Sequence, residues 1–213
     1  MELWEYELRN DIFEAYLTNN QQLANSLTAE LVSRKGVGFF YRYRSLDMAE
    51  ISAIRFDQIY LCRAIRFAKS GEGDWALFKS YVACFTDRRF SLSMWSDYAN
   101  EARGICLEYS ADDIARFATD NGLLFSPVRY SDIPPVNTSS QYQNVMSMMS
   151  KPRIESDEYE WRLWKVDLRS NDIGKLMSSI KPRKIYVGRN MDRDSGLYDE
   201  LEEVAEEKEI ELI

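Results

Sequence analysis

The first part of the chain carries apolar residues at helical spacing. Residues 3–17 place them every three or four positions, and Leu23, Leu27 and Leu31 repeat this spacing after a polar break. Residues spaced in this way fall on one face of an α-helix. The pattern therefore predicts two amphipathic helices, which form an N-terminal helical arm over residues 1–38.

Beyond the arm, short extended and helical patterns alternate along the chain. Extended patterns predict strands at 39–44, 58–63, 79–86, 105–109, 123–130, 158–168 and 183–188. Helical spacing and capping residues predict helices at 47–55, at 94–102 with Ser93 as cap, from a Ser110 and Asp113 capping box to near Gly122, at 141–150 and at 195–209. Polar segments predict loops at 70–74 and 131–140.

Several of the predicted strands alternate polar and apolar residues, which indicates a sheet buried on one face. Short interleaved elements with this alternation are typical of antiparallel sheets that are covered by helices. We therefore predict an α+β fold, a curved, mostly antiparallel split sheet with flanking helices and the N-terminal helical arm. Residues 39–213 are predicted to form a single domain that ends in an acidic helix.

Composition narrows the class of protein. A length of 213 residues with 45% hydrophobic residues is sufficient for one buried core. The chain has no apolar run long enough to span a membrane, and residues 1–5 lack the basic start of a secretory signal. We therefore expect a cytoplasmic protein with no membrane partner.

The absence of histidine removes several kinds of chemistry. It excludes Ser-His-Asp and Cys-His catalysis and the common zinc sites. Cys62, Cys84 and Cys106 lie in apolar, strand-like sequence without a CxxC pair, so we expect buried reduced thiols. No glycine-rich phosphate loop or paired-aspartate metal motif occurs. No metal is expected, and carboxylate chemistry, arginine recognition of phosphate and aromatic stacking remain.

The net charge of −8 is concentrated at the C-terminal end. Residues 194–213 hold nine acids and one base, whereas residues 34–69 hold eight bases and three acids. The basic segment is either a face that holds phosphate groups of a nucleotide or a nucleic acid, or an ordinary solvated surface. The acidic end would oppose long-range capture of duplex DNA.

Two strands carry polar residues that suit phosphate binding. Alternation in the strand 39–44 sends Arg42 and Arg44 to one face and the tyrosines to the other. A pair of arginines on one face can grip a diphosphate, or can lie solvated on an edge strand. Thr86 provides a hydroxyl group where the strand 79–86 ends.

A third strand carries the candidate carboxylates. In the strand predicted over 158–168, Glu158, Glu160 and Arg162 fall on one face and apolar residues on the other. Neighbouring carboxylates repel each other unless a cation lies between them, and Arg162 can be that structural partner. The same geometry also lets one carboxylate project into a cleft.

Taken in order, these segments resemble the bacterial family of domain of unknown function 2971 (DUF2971). The residues that carry the resemblance are 40–44, 84–86, 92–99, 104–107, Lys151, 158–162 and 185–188. The stretch around Trp95 is the specific part, and the resemblance spans about residues 39–190. The chain has Asp97, and Arg103 or a neighbour, where this family usually has histidines, and Glu155 where it has tryptophan. If those groups carry an activity, this member has lost or altered it.

The order of polar positions in this family is similar to that of ADP-ribosyltransferases. The resemblance implies NAD as substrate, Glu160 and Glu158 as catalytic carboxylates, Arg42 or Arg44 as a clamp on the pyrophosphate, and Thr86 as a positioning hydroxyl. Such a set needs neither histidine nor metal, because a carboxylate can stabilise an oxocarbenium-like transition state. A role as a toxin or in phage defence is a further implication.

The alternative is a non-catalytic module that binds nucleic acid or protein. Its basic face would be residues 34–69, blocked within the chain by the acidic end. The transferase hypothesis requires Glu160 or Glu158 and an early-strand arginine at one cleft. The binding hypothesis requires an open basic surface and glutamates paired with structural arginines. The sequence identifies neither the acceptor nor the oligomeric state.

Overall fold

The structure is a computed structural model that describes residues 1–67, 75–133, 145–146 and 148–213. Its helices are α1 (Leu3–Leu17), α2 (Gln21–Lys35), α3 (Met48–Arg55), α4 (Trp75–Phe78), α5 (Leu92–Asp97), α6 (Ala111–Asp120) and α7 (Gly196–Glu207). Its strands are β1 (Phe39–Arg44), β2 (Gln58–Arg63), β3 (Ser80–Thr86), β4 (Ile105–Ser110), β5 (Leu124–Pro127), β6 (Arg129–Tyr130), β7 (Ser150–Lys151), β8 (Glu160–Val166), β9 (Gly174–Ser178), β10 (Lys184–Val187) and β11 (Glu211–Leu212). Short 3-10 helices cover Ala64–Phe67 and Arg153–Glu158.

The predicted α+β class is confirmed. Most strands belong to a large, mostly antiparallel sheet, and the two N-terminal helices are present. None of the helices in the described ranges has both the length and the apolar character needed to cross a lipid bilayer. The chain packs as two compact units: the first unit is 1–37, 61–84 and 122–175, and the second unit is 38–60, 85–121 and 176–213. The division into an arm and one domain at residue 38 stays a prediction.

Side-chain caps explain why two of the helices begin where they do. The Asp47 carboxylate accepts the Glu50 N–H at 2.8 Å at the start of α3. The Ser110 hydroxyl accepts the Asp113 N–H at 3.1 Å at the start of α6. Each cap satisfies a backbone donor that has no partner inside the helix. The starts predicted for these two helices are therefore confirmed.

The helix predicted over 94–102 is present, but its predicted bounds and its predicted cap, Ser93, are wrong. The observed helix α5 is shorter, and its cap is Ser91, whose Oγ accepts the Met94 N–H at 3.3 Å. Serine stands at both positions, and either hydroxyl suits a helix start. The two hydroxyl oxygens also lie 3.0 Å apart.

The prediction that Glu158 and Glu160 share one strand face is also wrong. Glu158 ends a 3-10 helix, Tyr159 has a left-handed φ of 47°, and β8 begins only at Glu160. A left-handed residue turns the chain, so the two glutamates are not alternate positions of one strand. The face shared by Glu160 and Arg162 remains.

Other boundaries differ in smaller ways. The strand predicted over 123–130 is divided into β5 and β6, and β9 and β11 were not predicted. The turn at 70–74 and most of the segments predicted as a loop at 131–140 and as a helix at 141–150 lie outside the described residues. Positions 145–146 and 148–149 are helical, as predicted.

In the first unit, a buried arginine joins α1 to the strands. α1 packs against α2 and β6, and β8 pairs with β3 and, antiparallel, with β5. Arg9 is 1% exposed and donates to the Glu5 carboxylate and, at 2.8 Å, to the Val128 carbonyl. Its guanidinium also lies over the Trp161 ring. A buried charge is tolerated only with such partners, so this network specifies where α1 packs.

In the second unit, the strands lie in the order β11, β10, β4, β1, with the end of β3 beside β1. β4 pairs antiparallel with both β1 and β10, and β10 pairs parallel with β11. The register runs from Phe39 opposite Ser110 to Arg44 opposite Ile105. Helices α3 and α7 contact each other and contribute buried apolar side chains to this unit.

Two glycines allow backbone segments of the second unit to touch. A Cβ atom on Gly104 would lie 2.1 Å from the Arg44 carbonyl oxygen, and one on Gly188 would lie 2.2 Å from the Ala102 carbonyl oxygen. The Gly188 N–H donates to the Gly104 carbonyl at 2.9 Å. Only glycine fits between these segments without displacing the backbone.

We predict that Gly188→Ala destabilises the protein by about 2 kcal/mol or more, because the added methyl group must push two backbone segments apart. Gly196→Ala is the matched control, since no atom lies within 4 Å of a Cβ atom there. Denaturant unfolding monitored by circular dichroism measures both. Equal stability of the two variants would contradict the close approach.

Candidate functional site

The predicted carboxylate Glu160 lies in a buried charged cluster of the first unit. We define the charged cluster as Cys84, Lys151, Glu158, Glu160 and Arg162. Arg162 donates through Nε to Glu160 Oε1 at 2.7 Å and through Nη2 to Glu160 Oε2 at 3.0 Å. Lys151 Nζ lies 3.0 Å from Glu160 Oε2. Both carboxylate oxygens of Glu160 therefore bind cations of the chain itself.

Electrostatics keep this cluster charged. Burial opposes ionisation of Glu160, but the Arg162 guanidinium and the Lys151 ammonium hold its pKa at about 2. Burial, followed by the Glu160 carboxylate, raises the pKa of the Cys84 thiol. Cys84 is therefore a protonated thiol beside a carboxylate, which is a poor nucleophile.

Lys151 brings the two predicted carboxylates together although they do not share a strand. Its Nζ atom lies 2.5 Å from Glu158 Oε2 as well as 3.0 Å from Glu160 Oε2. A third carboxylate, Glu155, lies 3.0 Å away on the more exposed side. One lysine thus offsets the repulsion among three acids.

The two predicted arginines of β1 point away from the tyrosines, as the alternation predicts. Arg42 is 5% exposed, and its Nη2 donates to the Tyr60 carbonyl at 2.9 Å. Arg44 Nε donates to Glu50 Oε2 at 2.8 Å. Both guanidiniums thus bind groups of the chain itself.

Thr86 lies on the other face of β1 from these arginines. Its cross-strand partner is Tyr41, and paired residues of neighbouring strands share a face. Its hydroxyl oxygen accepts the Arg88 N–H at 3.1 Å, which fixes the turn after β3. The structure therefore does not bring Thr86 together with Arg42 and Arg44.

The face that contains Thr86 carries polar residues that the sequence did not single out. We define the tyrosine cluster as Tyr41, Arg89, Glu108 and Tyr186. Glu108 is 4% exposed and pairs across the sheet with Tyr41. The Tyr186 hydroxyl donates to Glu108 Oε2 at 2.7 Å and accepts from Arg89 Nη1 at 3.4 Å.

Both phenols of this cluster keep their protons at neutral pH. Burial, followed by the neighbouring Glu108 carboxylate, raises the pKa of Tyr41. The same two causes raise the pKa of Tyr186. Tyr41 and Tyr186 are therefore hydrogen-bond donors to a buried carboxylate.

Arg89 is exposed and is stacked between aromatic rings. Its guanidinium carbon lies 4.0 Å from the centre of the Phe90 ring and 5.3 Å from the centre of the Tyr186 ring. The Tyr43 hydroxyl donates to the backbone carbonyl of Arg89. These contacts limit the orientations that the long side chain can adopt.

A cleft of about 580 Å³ lies next to the tyrosine cluster. Residues that line it include Phe90, Leu92, Trp95, Ala102, Arg189 and Asn190. Trp95 packs edge-on against Tyr43 with 5.1 Å between ring centres, so it joins the cleft to the sheet. Phe90 and Leu92 are 79% and 83% exposed, so two large apolar side chains of the cleft are accessible to a ligand.

A left-handed turn forms one border of this cleft. Asn100, Glu101 and Ala102 have φ values of 49°, 56° and 62°. Three consecutive left-handed residues without glycine are strained, each by about 1–2 kcal/mol. The Ala102 N–H donates to the Trp95 carbonyl at 2.9 Å, and the Asn190 side chain donates to the Glu101 carbonyl at 2.8 Å. Strain held by its surroundings is often found at functional sites.

Part of the tyrosine cluster could have been found from the sequence. Glu108 is a lone acid inside the otherwise apolar strand 105–109, and a buried acid needs partners. Tyr186 belongs to a segment that carries the family resemblance. Arg89 has no comparable signal, because its position depends on the turn after β3.

Three arginines of the predicted basic face lie in the second unit and bind other groups of the chain. Besides Arg42 and Arg44, Arg55 lies 3.3 Å from both Glu200 and Glu207 of the acidic helix α7. One contact between the basic segment and the acidic end therefore exists. Ion pairs at this degree of exposure add little stability.

We predict that Glu160→Gln destabilises the protein by about 3–5 kcal/mol at neutral pH, because it leaves the Arg162 charge buried without its carboxylate. Glu155→Gln is the control: it removes the exposed partner of Lys151 and should cost less than about 1 kcal/mol. Urea unfolding at pH 7 measures both. Similar small losses in the two variants would contradict this account.

The difference between native protein and Glu160→Gln should depend on pH. The pKa of Glu160 is lowered from 4.5 to about 2 in the folded chain, so its stabilising contribution is complete above 4.5 and is lost as pH falls towards 2. The stability gap should therefore shrink over this range. Denaturant unfolding curves at several acidic pH values measure the difference in unfolding free energy between the two proteins. A difference that stays constant with pH would contradict the low pKa of Glu160.

Comparison with known proteins gives one match. Nothing among curated proteins matches the chain, and neither does any solved structure. Residues 94–209 match the family described as Protein of unknown function (DUF2971). The match begins within α5. It includes residues of both units, namely Glu160 and Arg162 of the charged cluster and Trp95, Glu108, Tyr186 and Arg189 at or near the cleft. It covers more than half of the 213 residues, and the chain therefore belongs to the DUF2971 family.

Proposed function

We propose that the chain binds a nucleotide in the cleft of the second unit. The observation that carries this proposal is that aromatic and cationic residues line the same cleft. Phe90, which is exposed, and the half-buried Trp95 line it together with Arg189. A base can stack on such rings, while arginine binds phosphate oxygens.

The dimensions of the cleft support the same proposal. Its volume of about 580 Å³ lies within the range of small-molecule and cofactor sites. The turn that ends at Ala102 and forms one wall of the cleft is held by backbone hydrogen bonds to Trp95 and Ser96. A wall that is already ordered reduces the conformational entropy that the protein loses on binding.

A finer proposal, which follows from the resemblance and not from the cleft, is that the nucleotide is NAD and that the reaction is ADP-ribosyl transfer. In this reaction the bond between ribose C1′ and the nicotinamide nitrogen breaks, and its electron pair leaves with nicotinamide. The acceptor then forms a bond to C1′ and releases a proton. The positive charge that develops on the ribose needs a nearby carboxylate.

The carboxylates implied by the resemblance, Glu158 and Glu160, lie in the first unit, where both contact Lys151. Their role in transfer therefore rests on the resemblance. The tight pairing of Glu160 with Arg162 equally suits the alternative, a non-catalytic nucleic-acid- or protein-binding module. The contact of Arg55 with the acidic helix also suits that alternative. A role as a toxin or in phage defence depends on transfer and belongs to the finer proposal.

We predict that the purified native chain releases nicotinamide from NAD when cell extract supplies an acceptor. Glu160→Gln should lower the rate by about 100-fold or more, as expected when charge stabilisation in a transition state is lost. Chromatography of the nicotinamide formed measures the rate, at a temperature where circular dichroism shows the variant folded.

Glu158→Gln gives a second variant with less risk to folding, and Glu155→Gln is the control. Background release by the native protein would eliminate the transfer proposal and leave nucleotide binding intact. Native rates in both Glu160→Gln and Glu158→Gln would eliminate these carboxylates.

We predict that Phe90→Ala weakens binding of NAD and ADP by about tenfold, because stacking of a base on an aromatic ring contributes about 1–3 kcal/mol. Phe56→Ala is the matched control, since Phe56 is 62% exposed and does not line the cleft. Isothermal titration calorimetry measures both. Equal affinities for the two variants would place the ligand elsewhere.

A further inference from the structure

We propose that Arg89 forms a phosphate-binding subsite at the border of the cleft, oriented by Tyr186, Glu108 and Phe90, for a nucleoside diphosphate. This inference rests on the proposed nucleotide binding and names the group that holds the phosphates. It differs from the assignment of Arg42 or Arg44 to that role.

Arg89 is more accessible to a phosphate group than Arg42 and Arg44 are. Arg42 is 5% exposed and donates to a backbone carbonyl, and Arg44 is paired with the Glu50 carboxylate. Arg89 is exposed, and its Nη1 lies 3.4 Å from the neutral Tyr186 hydroxyl. Within the described part of the chain, Glu108 acts on Arg89 only from behind this hydroxyl and forms no ion pair with it, so a phosphate would not have to displace a carboxylate.

The orientation of Arg89 is set by a chain of contacts that ends on a buried acid. Glu108 accepts from the Tyr186 hydroxyl at 2.7 Å, which fixes the phenol, and the phenol oxygen faces Arg89 Nη1. The Phe90 ring covers the guanidinium at 4.0 Å. A planar guanidinium held against rings loses little further freedom when it binds two phosphate oxygens.

The position of Arg89 suits a ligand whose base lies in the cleft. Arg89 adjoins Phe90 in the chain, and Tyr186 adjoins Val187, and both neighbours line the cleft. Tyr186 and Trp95 also pack against the same buried cluster of residues. A second arginine, Arg189, lines the cleft itself. Two arginines can share the charge of a diphosphate.

The test compares ADP with adenosine, which lacks phosphate, by isothermal titration calorimetry on the full chain. Native protein should bind ADP more tightly than adenosine. Arg89→Lys should weaken ADP binding by about tenfold or more and leave adenosine binding within about twofold, because lysine keeps the charge but loses the planar, stacked donor. Arg88→Lys, the same change at the adjacent position, should match native protein for both ligands.

Tyr186→Phe tests the orienting contacts, since it keeps the ring and removes the hydroxyl. It should weaken ADP binding by about threefold or more without changing adenosine binding. ADP affinity equal to native in Arg89→Lys would overturn the subsite while nucleotide binding stands. Equal native affinities for adenosine and ADP would overturn it as well. No measurable native binding of either ligand would overturn both the subsite and the proposed function.

Discussion

The cleft of this protein depends on a close approach of backbone segments at two glycines. Gly104 lies against the Arg44 carbonyl and Gly188 against the Ala102 carbonyl, at distances that leave no space for a Cβ atom. The approach places the end of β10 beside the turn that follows α5. Because that turn and the end of β10 both line the cleft, the shape of the cleft is set by the backbone before any side chain is considered.

The strain in this turn has the same origin. Asn100, Glu101 and Ala102 adopt left-handed conformations that an isolated chain would avoid. Their backbone groups are held by Trp95, Ser96 and Asn190, so the surrounding sheet and helix offset the cost. Three locally unfavourable backbone conformations are therefore held in place by hydrogen bonds to neighbouring segments of the second unit.

Local signals in the sequence were sufficient for much of the fold. The Ser110 and Asp113 capping box and the alternation of Arg42 with the tyrosines involve residues that are near each other in the chain. The sequence could not distinguish Ser91 from Ser93 as the helix cap, because the two hydroxyl groups are chemically equivalent. Tertiary packing determines which of them caps the helix. The late start of β8 depends on the left-handed Tyr159, and tyrosine gives no sequence signal for that conformation.

The site was less predictable because it is built from strand register. Glu108 meets Tyr41 and Tyr186 only because β4 lies between β1 and β10, and spacing along the chain does not reveal this order. The strand face that the sequence predicted for both Glu158 and Glu160 does not exist. They are nevertheless close together, because both contact Lys151, which the sequence places at the start of the same segment.

The bounds of the family match have a consequence for any attempt to excise the shared region. A fragment cut at residues 94 and 209 would remove β1, which contributes six register pairs along β4, and would remove β11 from the side of β10. It would also begin inside α5, without the Ser91 cap. A fragment that keeps these pairings must therefore extend beyond the matched residues, and Tyr41, which pairs with Glu108, belongs to the part that would be discarded.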